Sequence, residues 1–243
     1  MMRKRIEVIS LVFKSVDYLE LIYNELTSDK CKVEGWDVGV RIVANDATVE
    51  VLNHLKKLDI PYTIYNDPKP NEYYINRVYR AYNHSLKTSK YENLCFVNSD
   101  MVFSDKWLDN LLKHHDGINI PTARLVESGK MMSGTYGISY NCGRHPQQIN
   151  YPIWESLVKQ HSFDGVRDGG LYMPCVFDKQ RLIDSGMYPE GNIYADGVGT
   201  TNGLVTLSGD VYLFKKLEEE FNMKHITVFD SLVYHIQEGE KDG

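Results

Sequence analysis

The sequence lacks a long apolar segment and any surplus of basic residues. No window approaches the roughly 18 consecutive apolar residues of a membrane-spanning helix, and no apolar signal segment follows the first residues, so we expect a cytoplasmic protein. Lys and Arg number 27 against 33 Asp and Glu, a net charge of -6. That balance argues against a nucleic-acid partner, and the short basic cluster at residues 3–5 suffices only for peripheral membrane contact.

Cysteine is also scarce, with four residues in a chain of 243 and no pair at CxxC spacing. We therefore predict buried free thiols in a reducing compartment for Cys31, Cys95, Cys142 and Cys175, rather than disulfides or a zinc site. Hydrophobic residues at 42% and charged residues at 25% are typical of a compact globular domain.

The first 120 residues alternate between two kinds of pattern. Short apolar, β-branched runs predict strands at residues 6–13, 38–44, 61–65 and 94–97, and apolar residues at helical spacing separate them. This alternation predicts an α/β fold, with a mostly parallel Rossmann-type sheet and helices on both faces. In such sheets ligands bind beyond the carboxyl ends of the strands.

The second half is less regular. Residues 121–150 are rich in Gly, Ser, Tyr and Asn, which predicts loops and short hairpins. Regular structure is then predicted as a strand at 171–177, a helix at 179–185, a Gly-rich loop at 191–203, a helix at 211–221 and a strand at 225–233. We predict one domain over 1–243, with a nucleotide-type half (1–120) and an irregular second half (121–243).

Polar residues follow two of the predicted strands. Asn98, Ser99 and Asp100 end an apolar run, where a carboxylate is well placed to hold a hard cation on a diphosphate, although such triplets also form ordinary turns. Asp46 ends the second strand, where it would accept a hydrogen bond from a nucleobase or cap the next helix.

Two further candidates stand near the end of the chain. His235 follows an apolar strand, a position where a lone histidine is more often structural than a ligand. Asp210 opens a predicted helix, where an acidic residue also interacts favourably with the helix dipole.

Taken in order, these segments resemble the family-two type of GT-A glycosyltransferase across nearly the whole chain. The matching segments are Leu11-Val-Phe-Lys-Ser15, Val43-Ala-Asn-Asp-Ala-Thr48, Ala81-Tyr-Asn-His-Ser85, Asn98-Ser99-Asp100 on the Asp-x-Asp motif, Gly209-Asp210 on the Glu-Asp motif and Val233-Tyr-His235 on the late Val-x-His. The ordered set is far more specific than any one member.

The resemblance implies a metal-dependent transfer of a sugar, with inversion, from a nucleotide diphosphate to an acceptor hydroxyl. By residue, it implies Asp210 as general base, Asp100 and His235 as ligands of Mn²⁺ or Mg²⁺, and Phe13, Asp46, Asn83, Asn98 and Ser99 as nucleotide-binding residues. The donor is expected to carry UDP before GDP or dTDP. The acceptor is expected to be a glycan or another hydroxyl compound that binds in the irregular half (121–243), while the nucleotide sugar binds in the first half (1–120).

Three positions depart from the family pattern. Asn98 replaces the first Asp of the Asp-x-Asp motif, Asn45 replaces the first Asp of the early pair, and Gly209 replaces the Glu beside the base. With one anionic ligand fewer, metal affinity in the empty protein should be weak. If the Glu-Asp assignment is shifted, Asp196 is the next candidate base, although its context also suits a simple turn.

Two other functions fit parts of the pattern. A sugar-1-phosphate nucleotidyltransferase shares the nucleotide-binding fold, but it would carry a Gly-rich basic loop after the first strand, and residues 11–17 contain no glycine. A non-catalytic carbohydrate- or nucleotide-binding module of the same fold is consistent with the three departures, and it would bind donor without turnover.

Overall fold

The computed structural model describes residues 4–131, 133–198 and 204–237. The strands are β1 (Lys4–Val12), β2 (Trp36–Asn45), β3 (Tyr62–Tyr65), β4 (Asn93–Val97), β5 (Met101–Phe103), β6 (Asn119–Glu127), β7 (Ile138–Ser139), β8 (Val166–Asp168), β9 (Cys175–Asp178), β10 (Ile193–Tyr194), β11 (Gly197–Val198), β12 (Val205–Leu207) and β13 (Lys224–His235). The α-helices are α1 (Val16–Thr27), α2 (Val49–Leu55), α3 (Tyr74–Thr88), α4 (Trp107–Lys113), α5 (Tyr151–His161), α6 (Lys179–Asp184) and α7 (Gly209–Phe221), with 3₁₀ turns at Asp29–Cys31 and Pro146–Gln148.

One mixed sheet organises the molecule. Its main path runs β3-β2-β1-β4-β9-β6-β13-β5, with β7 beside β6 and β8 beside β13. The first four strands are parallel to one another, as are β6 and β13, whereas β9, β5 and β8 run antiparallel to their neighbours. The predicted α/β architecture with a mostly parallel sheet is confirmed, and strands from both sides of residue 120 share the sheet.

Helices cover both faces of this sheet, as predicted. Helix α1 buries Leu19, Ile22 and Leu26 against the face that α2 and α4 also cover, because their three- and four-residue spacing places them on one side of the helix. Helices α3, α6 and α7 pack on the opposite face, and α5 closes a third apolar cluster near the end of β13. Because helices pack on both faces, the sheet and the ends of its strands are held in fixed positions.

The prediction of loops from residue 121 onward is wrong for its first part. Strand β6 spans Asn119–Glu127 and pairs with β13 and β9 in the middle of the sheet. Polar residues within β6 interrupt the apolar run that would have predicted a strand. Arg124, for example, donates to the carbonyls of Tyr136 and His161 instead of facing water.

Helix α5 and a second, three-stranded sheet were also not predicted. Helix α5 starts at the Asn150 cap and buries only Trp154 and Leu157, too weak a pattern to read from sequence. Strands β10 and β11 lie within the predicted Gly-rich loop, and they form a three-stranded antiparallel sheet with β12, which follows the loop. Residues 199–203 of that loop lie outside the described residues, as do Met132 and Arg3 from the other segments discussed above.

The four cysteines are buried and free, as predicted. Burial raises the pKa of the Cys31 thiol to about 12 and that of Cys142 to about 11, so both remain protonated at neutral pH. Among the described residues, none of the helices has the length and apolar character needed to cross a membrane.

Candidate functional site

The carboxyl ends of three adjacent parallel strands bring the predicted residues to one edge of the sheet. Strand β1 lies between β2 and β4, and the three end at Val12, Asn45 and Val97. Phe13, Asp46 and the 98–100 triplet follow these ends directly. These residues therefore lie at the carboxyl edge of the sheet, where the strand pattern predicted them.

The side chain of Arg77, which the sequence did not single out, contacts both Phe13 and Asp46. The guanidinium carbon of Arg77, on α3, lies 4.0 Å from the centroid of the Phe13 ring. Arg77 Nε lies 3.6 Å from Asp46 Oδ2, and neither of these buried atoms has a hydrogen-bond partner among the described residues. The cluster thus combines an aromatic face with an ion pair whose two buried atoms have no hydrogen-bond partner among the described residues.

Asp46 is not a helix cap. The side chain of Thr48 caps α2 by accepting from the Val51 N–H. Asp46 instead adopts a left-handed backbone conformation (φ 49°), and its Oδ1 accepts the Asp67 N–H at 2.8 Å. The carboxylate therefore holds the segment after β3 beside the end of β2, and the capping alternative is wrong.

A second cluster forms where β4 turns into β5. Strand β5 pairs antiparallel with β13, which brings Asp100 to the end of β13, and His235 Nε2 lies 3.3 Å from Asp100 Oδ2. The other ring nitrogen, Nδ1, lies 3.1 Å from Oε1 of Glu127 at the end of β6. Glu127 was missed because its segment was predicted to be a loop.

Two carboxylates on one imidazole change its protonation. Burial lowers the pKa of His235, but the charge and hydrogen bond of Asp100 and those of Glu127 outweigh it and raise the pKa to about 10. The ring is therefore a cation at neutral pH when only the protein surrounds it. A proton on Nε2 and a metal ion shared with Asp100 would occupy the same position, so the metal would have to displace that proton.

The donor set suits a weakly held divalent cation. Within the described ranges, no three or more His, Cys, Asp or Glu side chains converge in a metal-binding arrangement. Asp100 and His235, however, are spaced 3.3 Å apart, which matches two ligands that each lie about 2.1 Å from one ion. Glu127 on the far nitrogen is the carboxylate–histidine arrangement that orients a metal ligand.

The other predicted nucleotide-binding residues have different surroundings. Asn98 accepts from the Tyr82 hydroxyl at 3.3 Å, and the half-buried Ser99 lies between Asn98 and Asp100. Asn83 uses both groups of its amide on the main chain of Tyr188, at 2.8 and 3.0 Å. The Asn83 amide thus holds the Tyr188 segment, and its contact with a nucleotide stays a prediction.

Asp210 lies in the first turn of α7, as predicted. Its Oδ1 accepts the Val211 N–H at 2.8 Å, and its own N–H donates to the Tyr79 hydroxyl at 3.1 Å. Asp196, the alternative base, is exposed in the turn between β10 and β11, which is the simple turn that its context suggested.

Helix α3 contacts candidate residues of both the nucleotide site and the base position. Arg77 covers Phe13, Tyr79 bonds the first turn of α7 at Asp210, and Tyr82 bonds Asn98. One helix therefore connects the candidate nucleotide-binding residues with the candidate base.

Comparison with known proteins gives matches at the level of structure. No family model matches the sequence, and no curated protein matches it. A mannosyltransferase from Pyrobaculum calidifontis, solved with GDP-Man and Mn²⁺, matches 97% of the chain with a TM-score of 0.54 and 14% identity. GalNAc-T7, solved with UDP, GalNAc and Mn²⁺, matches 96% with a TM-score of 0.56 and 11% identity. The chain spans 57% and 44% of those two proteins, respectively, and it has their GT-A fold.

Proposed function

We propose that the protein is a metal-dependent glycosyltransferase that moves a sugar from a nucleotide diphosphate to an acceptor hydroxyl with inversion. The observation that carries the proposal is the meeting of Asp100 and His235 at 3.3 Å. They meet at the carboxyl edge of a sheet whose fold is shared with two proteins solved with Mn²⁺ and a nucleotide or nucleotide sugar.

In this proposal the metal is held by Asp100, His235, the diphosphate and water. A divalent ion there would offset the negative charge that develops on the leaving diphosphate. Glu127 accepts from Nδ1 of His235 and so keeps Nε2 directed at the ion. Two protein ligands are few for such an ion, which supports the expectation that it binds tightly only together with the donor.

The nucleotide is proposed to bind at Phe13, Asp46 and Arg77. The ring and the guanidinium offer flat surfaces for a nucleobase, and the Asp46 carboxylate lies beside the guanidinium at 3.6 Å. Asn98 and Ser99 lie between this cluster and Asp100 along the strand ends, where the ribose and diphosphate would pass. UDP is our first expectation and GDP or dTDP the next.

Asp210 is proposed as the general base. An attacking hydroxyl must lose its proton, and a carboxylate within hydrogen-bond reach contributes on the order of 10²- to 10⁴-fold. Asp210 is only partly buried at the start of α7, and the main-chain N–H of Val211 orients its Oδ1. Direct attack by the acceptor on the anomeric carbon gives inversion.

Thermal unfolding tests the donor site. The wild type and Asp100→Ala are each heated with UDP, GDP or dTDP, with and without Mn²⁺. A ligand at 100 times its Kd adds about 2.7 kcal/mol of stability, which is a rise in Tm of about 5 °C or more for a chain of this size. We expect one nucleotide to stabilise the wild type only with Mn²⁺, and Asp100→Ala to lose that effect.

Stabilisation by none of the three nucleotides would contradict the proposal. The nucleotide that binds then selects the donors for a turnover assay, in which proton NMR of the product reads its anomeric configuration. Binding without release of the nucleotide diphosphate, with a broad acceptor set, would favour the non-catalytic binding module.

A further inference from the structure

The first turn of α7 is held by residues from other parts of the chain. The first N–H groups of a helix have no partners within it, and the side chain of the Ser208 cap does not provide one. The Gly209 N–H donates to Asn192 Oδ1 at 3.1 Å, and the Asp210 N–H donates to the hydroxyl of Tyr79 at 3.1 Å. The main chain of the candidate base is therefore fixed from α3.

The Tyr79 ring also explains the glycine before the base. A Cβ on residue 209 would lie 2.4 Å from Cε2 of Tyr79 and 2.8 Å from the carbonyl oxygen of Gly191. No side chain fits there without displacing the ring or the main chain. The Glu of the family pattern is thus excluded by the same ring that bonds Asp210.

The ring itself is tightly held. Tyr79 is 4% exposed and stacks on Tyr188 with a centroid separation of 5.2 Å and an interplanar angle of 10°. Both amide groups of Asn83 bond the main chain of Tyr188. Because any other rotamer of Tyr79 would lose the stack on Tyr188, the position of its hydroxyl is well defined.

We propose that Tyr79 is a positioning residue for Asp210, setting the carboxylate of the base through the first turn of α7. This inference rests on the proposed function, because it takes Asp210 as the base. Burial and the charge of Asp210 raise the pKa of Tyr79, so the phenol stays neutral and acts through its hydrogen bond. Asn83 then supports the base indirectly, through Tyr188 and Tyr79.

The test compares Tyr79→Phe with Asp210→Asn and with the double variant. Turnover is followed as nucleotide diphosphate released from UDP-glucose, UDP-N-acetylgalactosamine or GDP-mannose with Mn²⁺ and a set of methyl pyranosides. Tyr79→Phe removes one oxygen and keeps the stack, so we expect kcat to fall about 10- to 100-fold while the KM for the donor changes less than about 2-fold. In the Asp210→Asn background, the same change should cause no further fall.

Tyr91→Phe is the matched control, because Tyr91 precedes β4 at the opposite end of the sheet and packs against Arg5. A second readout is amide hydrogen exchange by NMR, in which Tyr79→Phe should speed exchange at the Asp210 N–H about 10-fold or more. Gly209→Ala should lower kcat in the same way, because the new Cβ pushes α7 away from Tyr79.

The outcomes separate the two proposals. If Asp210→Asn loses activity and Tyr79→Phe keeps the kcat of the wild type, the positioning role is wrong and the proposed function stands. If Asp210→Asn keeps full activity, Asp210 is not the base and both the base assignment and this inference fail. A fall in kcat that is equally large in the Asp210→Asn background would also overturn the positioning role.

Discussion

Arg77 covers one face of the Phe13 ring, with its guanidinium carbon 4.0 Å from the ring centroid. The arginine comes from α3 and the phenylalanine from the end of β1, so the contact ties the helix to the strand edge. Asp46 approaches the same guanidinium from the end of β2, at 3.6 Å. A planar cation between an aromatic ring and a carboxylate is suited to a flat, polar ligand.

Replacing Arg77 by Ala should weaken nucleotide binding. The change removes the flat surface over Phe13 and leaves the buried Asp46 carboxylate without its cation, so we expect the Kd for UDP with Mn²⁺ to rise about 10-fold or more. Isothermal titration calorimetry measures it. Arg5→Ala is the control, since Arg5 covers Tyr91 in the same way at 4.6 Å but near the amino end of β1. A Kd for UDP within 2-fold of the wild type for Arg77→Ala would contradict the proposed nucleotide-binding site.

Replacing Glu127 by Gln should weaken metal binding without removing a ligand. Glutamine has nearly the same shape as glutamate but no charge to hold the Nδ1 proton of His235, and loss of such a partner typically costs 10- to 100-fold in affinity. Free Mn²⁺ measured by electron paramagnetic resonance in the presence of UDP gives the affinity. Asp100→Asn should cost more than Glu127→Gln, and the exposed Glu92→Gln should cost nothing. Equal affinity for the wild type and Glu127→Gln would show that Glu127 does not orient the ligand.

The residues at strand ends could be predicted because their strands are continuous apolar runs. Phe13, Asp46 and Asp100 each follow such a run, and parallel strands bring their carboxyl ends to one edge. Within the first 120 residues, the same periodicity predicted β1 to β4, but the short strand β5 (Met101–Phe103) was not predicted. In β6, by contrast, Thr122 and Arg124 interrupt the apolar pattern, and their partners come from distant segments.

The supporting residues could not be predicted, since their roles depend on contacts between distant segments. Arg77 and Tyr79 belong to an amphipathic helix, where the sequence shows only which side is buried. Glu127 ends a strand that was predicted to be a loop. The departure at Gly209 has no explanation in the sequence, because the ring that excludes a side chain there comes from α3.

Acidification should destabilise the fold through His225. Burial between Tyr172 and Phe214 lowers the pKa of this histidine to about 4 and outweighs the contact of its Nε2 with the Leu171 carbonyl, which raises the pKa. The unfolded chain binds the proton near pH 6.5, so stability is complete above that pH and is lost as the pH falls toward 4. This group should account for about 2 kcal/mol of the loss between pH 7 and pH 5.

Urea unfolding of the wild type and His225→Phe at a series of pH values measures that share. Phenylalanine keeps the ring contacts and does not titrate, so the curve of stability against pH should be flatter for the variant. Parallel curves for the two proteins would show that His225 does not contribute.

A buried ion pair should make Glu7 far more sensitive to substitution than an exposed acid on the neighbouring strand. Glu7 on β1 lies 3.0 Å from Arg41 on β2, with side chains 10% and 7% exposed, and Arg41 also donates to the Ser85 carbonyl of α3. Glu7→Gln leaves a buried guanidinium without a counter-charge, which should cost about 3 kcal/mol in the free energy of unfolding. Asp37→Asn breaks the exposed pair with Arg5, in which the side chains of Asp37 and Arg5 are 53% and 39% exposed, and should cost less than about 1 kcal/mol.

Denaturant unfolding at pH 7 compares the two variants with Glu7→Met/Arg41→Met, in which both charges are removed. If the cost arises from the unpaired guanidinium, the double variant should be more stable than Glu7→Gln alone, because it leaves no buried charge. A double variant that is less stable than Glu7→Gln would instead mean that the hydrogen bonds of Arg41 to α3 carry the stability. In that case β2 is held to the helix that bears Arg77, Tyr79 and Tyr82 mainly by those bonds, and nucleotide affinity should fall together with stability.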